Sequence, residues 1–232
     1  MKIAIIGAMD EEVEMLKSKL DNRKDEEIGG SFFHIGDIGG QETILCKSGI
    51  GKVNAAISTT LVLERYKPDV VINTGSAGGF DTELNVGDLV ISTEVRYNDV
   101  DATVFGYEFG QVPQMPAAFT ADKNLIEVAK SSAATGEIPA TEGLIVSGDS
   151  FMSDETKVNS LKEIFELAKC AEMEAGAIAH VCHRFNVPFV VIRALSDIAG
   201  KEAKLSYEQF LEKASVNAAN LILQMVSQLK NS

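Results

Sequence analysis

The sequence predicts an α/β domain built on a mixed, largely parallel sheet with helices on both faces. Three observations lead there. Short apolar runs ended by glycine, asparagine or aspartate recur along the chain, as in KIAIIG, DVVINTG and PFVVIRALSD, and unbroken runs of that length mark strands buried on both faces. Segments with helical spacing alternate with these runs, apart from an early hairpin. With 232 residues, 45% apolar and 24% charged, the chain suits one large globular domain spanning 1–232.

Residues 2–7 read as the first buried strand, and an acidic helix runs from about Met9 to Leu20. SFFHIGDIG and QETILCKSG read as two strands joined by Gly-Gly. Val53 to Tyr66 is helical and is stopped by Pro68. In the next strand, DVVINTG, the run Val70, Val71, Ile72 breaks into Asn73-Thr74-Gly75-Ser76-Ala77-Gly78-Gly79. That break reads as a strand emptying into a loop where backbone lies close to a ligand. GDLVISTEVRY is another strand, followed by a helix over 122–134, the strand TEGLIVSGD and a helix over 154–167. CAEMEAGAIAHVCHRF runs from a short strand into a helix, PFVVIRALSD is buried, and Tyr207 to Leu229 closes the chain as a long helix.

One stretch departs from the pattern. Asn98 to Phe119 carries three Phe, one Tyr, two Pro and no basic residue, with weak periodicity. So long and apolar a loop is unusual in a compact domain. Its aromatics speak against disorder and for a partner surface or a ligand lid.

The net charge is −13, from 34 acids and 21 bases, and no basic patch interrupts it. A polyanion meets a repulsive field, so nucleic acid is not an expected partner. No apolar run approaches a membrane span, and MKIAIIGAMDEEVEML lacks the order of a signal peptide. Three cysteines without a CxxC suggest reduced thiols, so a cytoplasmic location is expected. HVCH lies within one helix without a second ligand cluster, so no metal is expected.

Ligands of α/β sheets gather at the carboxyl ends of the strands. Here those ends deliver GAMDEE, NTGSAGG, SGDSFM, EMEAG and RALSD, which suggests one composite site. Asp10 and Asp197 taken singly read equally well as ordinary caps. Arg193 and Asp197 on one strand end, with Glu174 and Glu12 on others, are harder to read that way. The glycine segment has no lysine, so it is not the phosphate cradle GxxxxGK[ST], and no dinucleotide fingerprint follows the first strand. It is either a tight turn or backbone at Ala77 and Gly78 set against a flat, mostly neutral group.

Several long motifs in one order (IIGAMDEEV, KSGIGKVNAA, NTGSAGG, FGYEFGQ, LIVSGDSF, EMEAGAIAHVC and VPFVVIRALSD) make the sequence similar to the 5′-methylthioadenosine/S-adenosylhomocysteine nucleosidases of the purine nucleoside phosphorylase superfamily. The resemblance implies a three-layer α/β/α domain with a twisted mixed sheet, a homodimer, no cofactor, and hydrolysis that releases adenine. It further implies that Glu12 activates water and that Asp197 protonates adenine N7. Met173 and Glu174 are to hold the ribose, Phe151 to stack on adenine, and backbone at Met152 to bond its edge. Ser76, Ala77, Gly78 and Ser196 are to line the pocket, with Arg193 helping to hold the attacking water. Phe105, Tyr107 and Pro113 are to wall the neighbouring subunit's pocket. Apart from the resemblance, Gly200 and the small alanines of DIAGKEAKLSY, directly after Asp197, read as a segment that closes over substrate.

Two alternatives stand beside this. A nucleoside phosphorylase on the same fold commonly carries a GDPxR-type turn after the first strand, where this chain has GAMDEE, three acids that repel a phosphate dianion. A nucleoside-binding protein without chemistry would lack Glu12 or Asp197, and both are present.

Overall fold

The computed structural model describes residues 1–81, 83–199 and 203–230. In chain order the elements are β1 (Ile3–Gly7), α1 (Asp10–Lys17), β2 (Asp21–Ile28), β3 (Ser31–Ile38), β4 (Gln41–Lys47), α2 (Lys52–Tyr66), β5 (Val70–Gly79), β6 (Leu89–Tyr97), β7 (Phe119–Thr120), α3 (Lys123–Thr135), β8 (Ala140–Ser147), α4 (Glu155–Ile164), β9 (Ala168–Glu172), α5 (Ala175–Phe185), β10 (Phe189–Ile198) and α6 (Ala203–Leu229).

The strands form one mixed sheet in the order β10-β6-β8-β9-β5-β1-β4-β3-β2. Because β10 also pairs with β5, the strands β5, β10, β6, β8 and β9 close into a ring, with β1, β4, β3 and β2 extending from it as an open wing. β1 pairs parallel with both β4 and β5, and β10 pairs parallel with β5, as unbroken apolar strands do. Helices α1, α3 and α6 pack together on one side, while α2 and α5 pack together on the other. The core between the layers draws on both, through Val13, Leu16 and Ile222 on one side and Val62 and Ile178 on the other.

Four expectations change. The segment from Asn73 to Gly79 is not a loop, because β5 continues through it and pairs with β10 as far as Gly79. Its glycines serve close packing between strands: a Cβ on Gly78 would stand 3.0 Å from Asp197 Oδ2, and one on Gly79 3.0 Å from Ile198 Cδ1. β2, DNRKDEEI, was not expected as a strand. Its residues are almost wholly exposed and charged, so no apolar alternation betrays it. Antiparallel pairing to β3 through a Gly29-Gly30 turn in the left-handed region holds it, and its charges guard a sheet edge against association. The first helix is shorter than expected at both ends, and α6 begins at Ala203, ahead of Tyr207. In the Asn98–Phe119 stretch the backbone makes one 3-10 turn at Thr103–Phe105 before β7. Residues 200–202, in the segment expected to close over substrate, lie outside the described residues.

Candidate active site

The carboxyl ends of β1, β5, β9 and β10 meet around a cavity of about 270 Å³. Glu12 enters it from the first turn of α1 and is buried. Its Oε2 accepts from the Ala8 and Met9 backbone N–H groups at 2.7 and 3.2 Å, the second bond being half of a capping box. Its Oε1 accepts from Ser76 N–H at 3.0 Å and from Ser76 Oγ at 3.2 Å. Four donors orient this carboxylate, and helix capping alone accounts for one of them.

Asp197 arrives on β10, where the register with β5 shifts between Leu195 and Asp197. Such an irregularity re-aims the side chains that follow it. The carboxyl is 2% exposed and accepts from Ser196 Oγ at 2.8 Å. Burial pushes its pKa up to about 6, with the Ser196 bond pulling the other way. Desolvation therefore makes it a proton carrier near neutrality; repulsion from the other carboxylates, expected from the sequence to contribute, is not among the causes.

The end of β9 and the turn after it supply two more acids. Glu172 Oε2 accepts from Glu174 N–H at 2.9 Å and Ala175 N–H at 2.8 Å, and it pairs with the Arg193 guanidinium. Glu174, the residue just before α5, accepts from Gly51 N–H at 2.8 Å and lies 3.7 Å from Arg193 Nη2. Burial raises the Glu174 pKa, Glu172 and Glu12 add to the rise, and Arg193 opposes it.

Arg193 does not face the cavity. It is fully buried below it, donating to Asn73 Oδ1 at 2.8 Å and to Thr74 O at 3.3 Å. Burial works against its charge, but Glu172, Glu174 and Glu12 outweigh that and hold its pKa above the ordinary value. The guanidinium crosses β5 at Gly75, where a Cβ would collide with Nη1 and stand 2.7 Å from Glu12 Oε1. Gly75→Ala is therefore expected to cost about 2–4 kcal/mol in a urea or thermal unfolding measurement, through a forced shift of a buried ion network.

Of the residues singled out from the sequence, Glu12, Ser76, Ala77, Gly78, Phe151, Met152, Met173, Glu174, Ser196 and Asp197 all line the cavity. Phe151 is 43% exposed at its mouth, edge-on to Tyr207 with ring centres 5.6 Å apart, whereas Met152 is buried. Phe105, Tyr107 and Pro113 do not reach this chain's cavity, and Phe105 is 79% exposed. The cavity also takes in Ala8, Met9, Ile50 and Glu172, to which the sequence assigned no role, and Tyr207, the last residue of the segment expected to close over substrate. Glu172 could have been found from its spacing, since it stands two residues before Glu174 in EMEAG. Ile50 carries a fainter signal, an apolar residue alone between two glycines.

None of the described cavity-lining residues is basic, and four of them are acids. The arrangement offers one carboxylate fixed by four donors, two carboxyls, Asp197 and Glu174, in which burial favours a bound proton, and apolar walls for a flat ligand. It offers nothing to grip a phosphate.

The profile of the Phosphorylase superfamily matches residues 2–227. A 5′-methylthioadenosine/S-adenosylhomocysteine nucleosidase of Halalkalibacterium halodurans is 65% identical over 98% of this chain and 99% of its own length. The crystal structure of such a nucleosidase from Colwellia psychrerythraea 34H, in complex with adenine, superposes with a TM-score of 0.96 at 49% identity, covering 99% of this chain and 96% of that one. One from Neisseria meningitidis, in complex with methylthio-immucillin-A, gives 0.96 at 45% identity, covering 98% and 99%. The chain belongs to the 5′-methylthioadenosine/S-adenosylhomocysteine nucleosidase family, within the phosphorylase superfamily.

Proposed function

We propose that this chain hydrolyses the N-glycosidic bond of 5′-methylthioadenosine and S-adenosylhomocysteine, giving adenine and the 5-thio-substituted ribose, in methionine salvage and the recycling of S-adenosylmethionine by-products. The observation that carries this is the pairing, in one cavity without a basic residue, of Glu12 fixed by four donors with Asp197 poised to hold a proton. Two carboxyls kept in opposite protonation states are the general pattern for base and acid in one pocket. The adenine and methylthio-immucillin-A complexes of the two crystal structures support a nucleoside as the occupant.

In this reading the C–N bond breaks through an oxocarbenium-like sugar, and the leaving base takes the Asp197 proton on N7. Water adds to the anomeric carbon as Glu12 accepts its proton, so the acid used on one side is replaced by a proton gained on the other. Before the next turnover Glu12 releases its proton to solvent and Asp197 takes one back. Glu174, whose pKa burial raises, faces the ribose hydroxyls; their donation and the developing cation favour its charged form, which then lies where charge counts most. Arg193, set beneath the cavity, acts through the acids it orders. No metal or cofactor enters these steps.

Product analysis tests the reading: free adenine with a reducing sugar means hydrolysis, adenine with a sugar phosphate means phosphorolysis. The carboxylate-rich cavity favours the first, since a phosphate dianion has no free cation to meet there among the described residues.

The working form we infer is a cytoplasmic homodimer of a single-domain subunit. Three unpaired, buried cysteines support a reducing compartment, and no helix of the described residues is long and apolar enough to cross a membrane. Exposed apolar side chains support the dimer: Val104 is 85% exposed, Phe105 79% and Val53 69%. Phe105, Tyr107 and Pro113 of one subunit then wall the other's pocket around the 5′-alkylthio group. Dilution to monomer is expected to abolish turnover, and full activity in a monomer verified by sedimentation contradicts the dimeric site.

A further inference from the structure

Two glycine-bearing loops meet at the rim of the cavity, Ser48–Lys52 before α2 and Gly148–Met152 after β8. Each bears a wall residue, Ile50 on the first and Phe151 on the second. The first also donates Gly51 N–H to Glu174 Oε1 at 2.8 Å. Backbone bonds tie the start of each loop down, Ser48 N–H to Gly7 O at 2.8 Å and Gly49 N–H to Ala8 O at 3.1 Å on the first, and Gly148 N–H to Glu172 O at 3.0 Å on the second. The two loops are joined by side chains. Lys52 Nζ donates to both oxygens of Asp99, at 2.8 and 2.7 Å, and Asp99 Oδ2 also accepts from Asp149 N–H at 2.9 Å. Asp149 Oδ1 in turn accepts from Lys52 N–H at 2.8 Å. A chain of donors and acceptors thus runs from the root of the aromatic loop, through both rim loops, to the N–H that meets Glu174.

Gly51, the cap of α2, is a position that calls for glycine. Its φ of +94° belongs to the left-handed region, and a Cβ there would stand 3.2 Å from Asp149 Oδ1. The Lys52 ammonium is about one-quarter exposed, as is Asp99, and it also lies 5.4 Å from the centre of the Tyr97 ring. An isolated exposed ion pair does little. This pair is different in kind, because two backbone N–H groups, one on each loop, hang on the carboxylates of Asp99 and Asp149, and their loss loosens both loops beyond their tied ends.

We propose that Lys52, Asp99 and Asp149 form a clamp of positioning residues that fixes the Gly51 N–H against Glu174 and so sets Glu174 for the ribose hydroxyls. The proposal rests on the reading above that Glu174 binds those hydroxyls. A group held by one backbone donor keeps its aim only if that backbone is held, and misplacement by about 1 Å is enough to cost roughly a hundredfold in rate.

The test pairs enzyme variants with substrates. 5′-Methylthioadenosine and its 2′-deoxy and 3′-deoxy analogues are each presented to wild type, Glu174→Ala, Asp99→Asn, Lys52→Met and Lys52→Arg, and kcat and KM are measured separately. Asp99→Asn is expected to lower kcat/KM for the parent nucleoside by about tenfold or more, and by less than about twofold on at least one deoxy analogue, because the contact it misaligns is already gone. Lys52→Met should behave likewise and takes the place of Asp99→Asn if that variant does not fold. Lys52→Arg, which keeps the cation, is expected to lose less than Lys52→Met. If Glu174→Ala loses equally on all three substrates, the assignment of Glu174 to the sugar fails and the clamp's purpose with it. If Glu174→Ala loses selectively while Asp99→Asn and Lys52→Met lose equally on all three, the clamp alone is overturned.

Discussion

Asp197→Asn is expected to lose roughly 10²-fold or more in turnover of 5′-methylthioadenosine while becoming more stable at neutral pH. The rate falls because an amide offers N7 a hydrogen bond but no transferable proton. The stability follows from the raised pKa of the wild-type carboxyl, about 6 in the folded protein. Below the unfolded value near ~3.9 the group is protonated in both states and burial costs nothing extra. As pH rises toward and through about 6, the unfolded chain gains by ionising while the folded one resists, so stability is lost. At pH 7 that loss is on the order of 1–3 kcal/mol, and Asn escapes it while still accepting from Ser196 Oγ. Thermal unfolding should show the variant above wild type at pH 7 and level with it near pH 4. In the wild type, kcat/KM should fall as pH rises above about 6, because only the protonated acid works. A flat profile there, or near-normal turnover by the variant, removes Asp197 from the role of acid.

Glu12→Gln is expected to stop turnover as completely, but with the opposite effect on stability. Each carboxylate oxygen of Glu12 accepts from two donors, Ala8 and Met9 N–H on one side and Ser76 N–H and Oγ on the other. An amide has only one oxygen to give. Turned toward Ala8 and Met9, it presents its NH2 to Ser76, whose hydroxyl can rotate to accept but whose backbone N–H is left without a partner. A buried orphan of that kind costs about 1–3 kcal/mol. The two variants also separate chemically. A nucleoside whose leaving group needs no protonation at N7 should restore Asp197→Asn substantially and Glu12→Gln hardly at all, since water still lacks a base. Equal responses to that substrate exchange or dissolve the two assignments.

Much of this was legible in the sequence for identifiable reasons. Strands buried on both faces announce themselves as apolar runs, so β1, β5 and β10 stood out, and the acids at their ends could be read as one site. Glu12, Glu174 and Asp197 do line one cavity. What escaped has equally plain causes. β2 has no buried face, and only its pairing partner makes it a strand. The glycines of NTGSAGG pointed to a loop because close approach to backbone has the same signature whether a ligand or a neighbouring strand approaches, and here it is the side chains of β10. Arg193 could be placed at the site but not below its floor, since depth depends on which strand it crosses. The clamp of Lys52, Asp99 and Asp149 joins positions 47 and 97 residues apart, a distance no local pattern spans.

Closure of β5, β10, β6, β8 and β9 into a ring makes these strands intolerant of changes in length. In an open sheet an edge strand can slip or gain a residue, and only its own pairing suffers. Here every strand of the ring is answerable to two neighbours, so an insertion in one must be absorbed by a seam elsewhere. The ring already has such seams, one of them the register shift that sets Asp197 opposite Gly78. A single residue added to β10 ahead of that shift turns every later side chain to the other face, and with it the acid. Insertions should therefore be found in the open wing and at loop tips, such as the Gly29-Gly30 and Gly39-Gly40 turns, and substitutions alone within the ring.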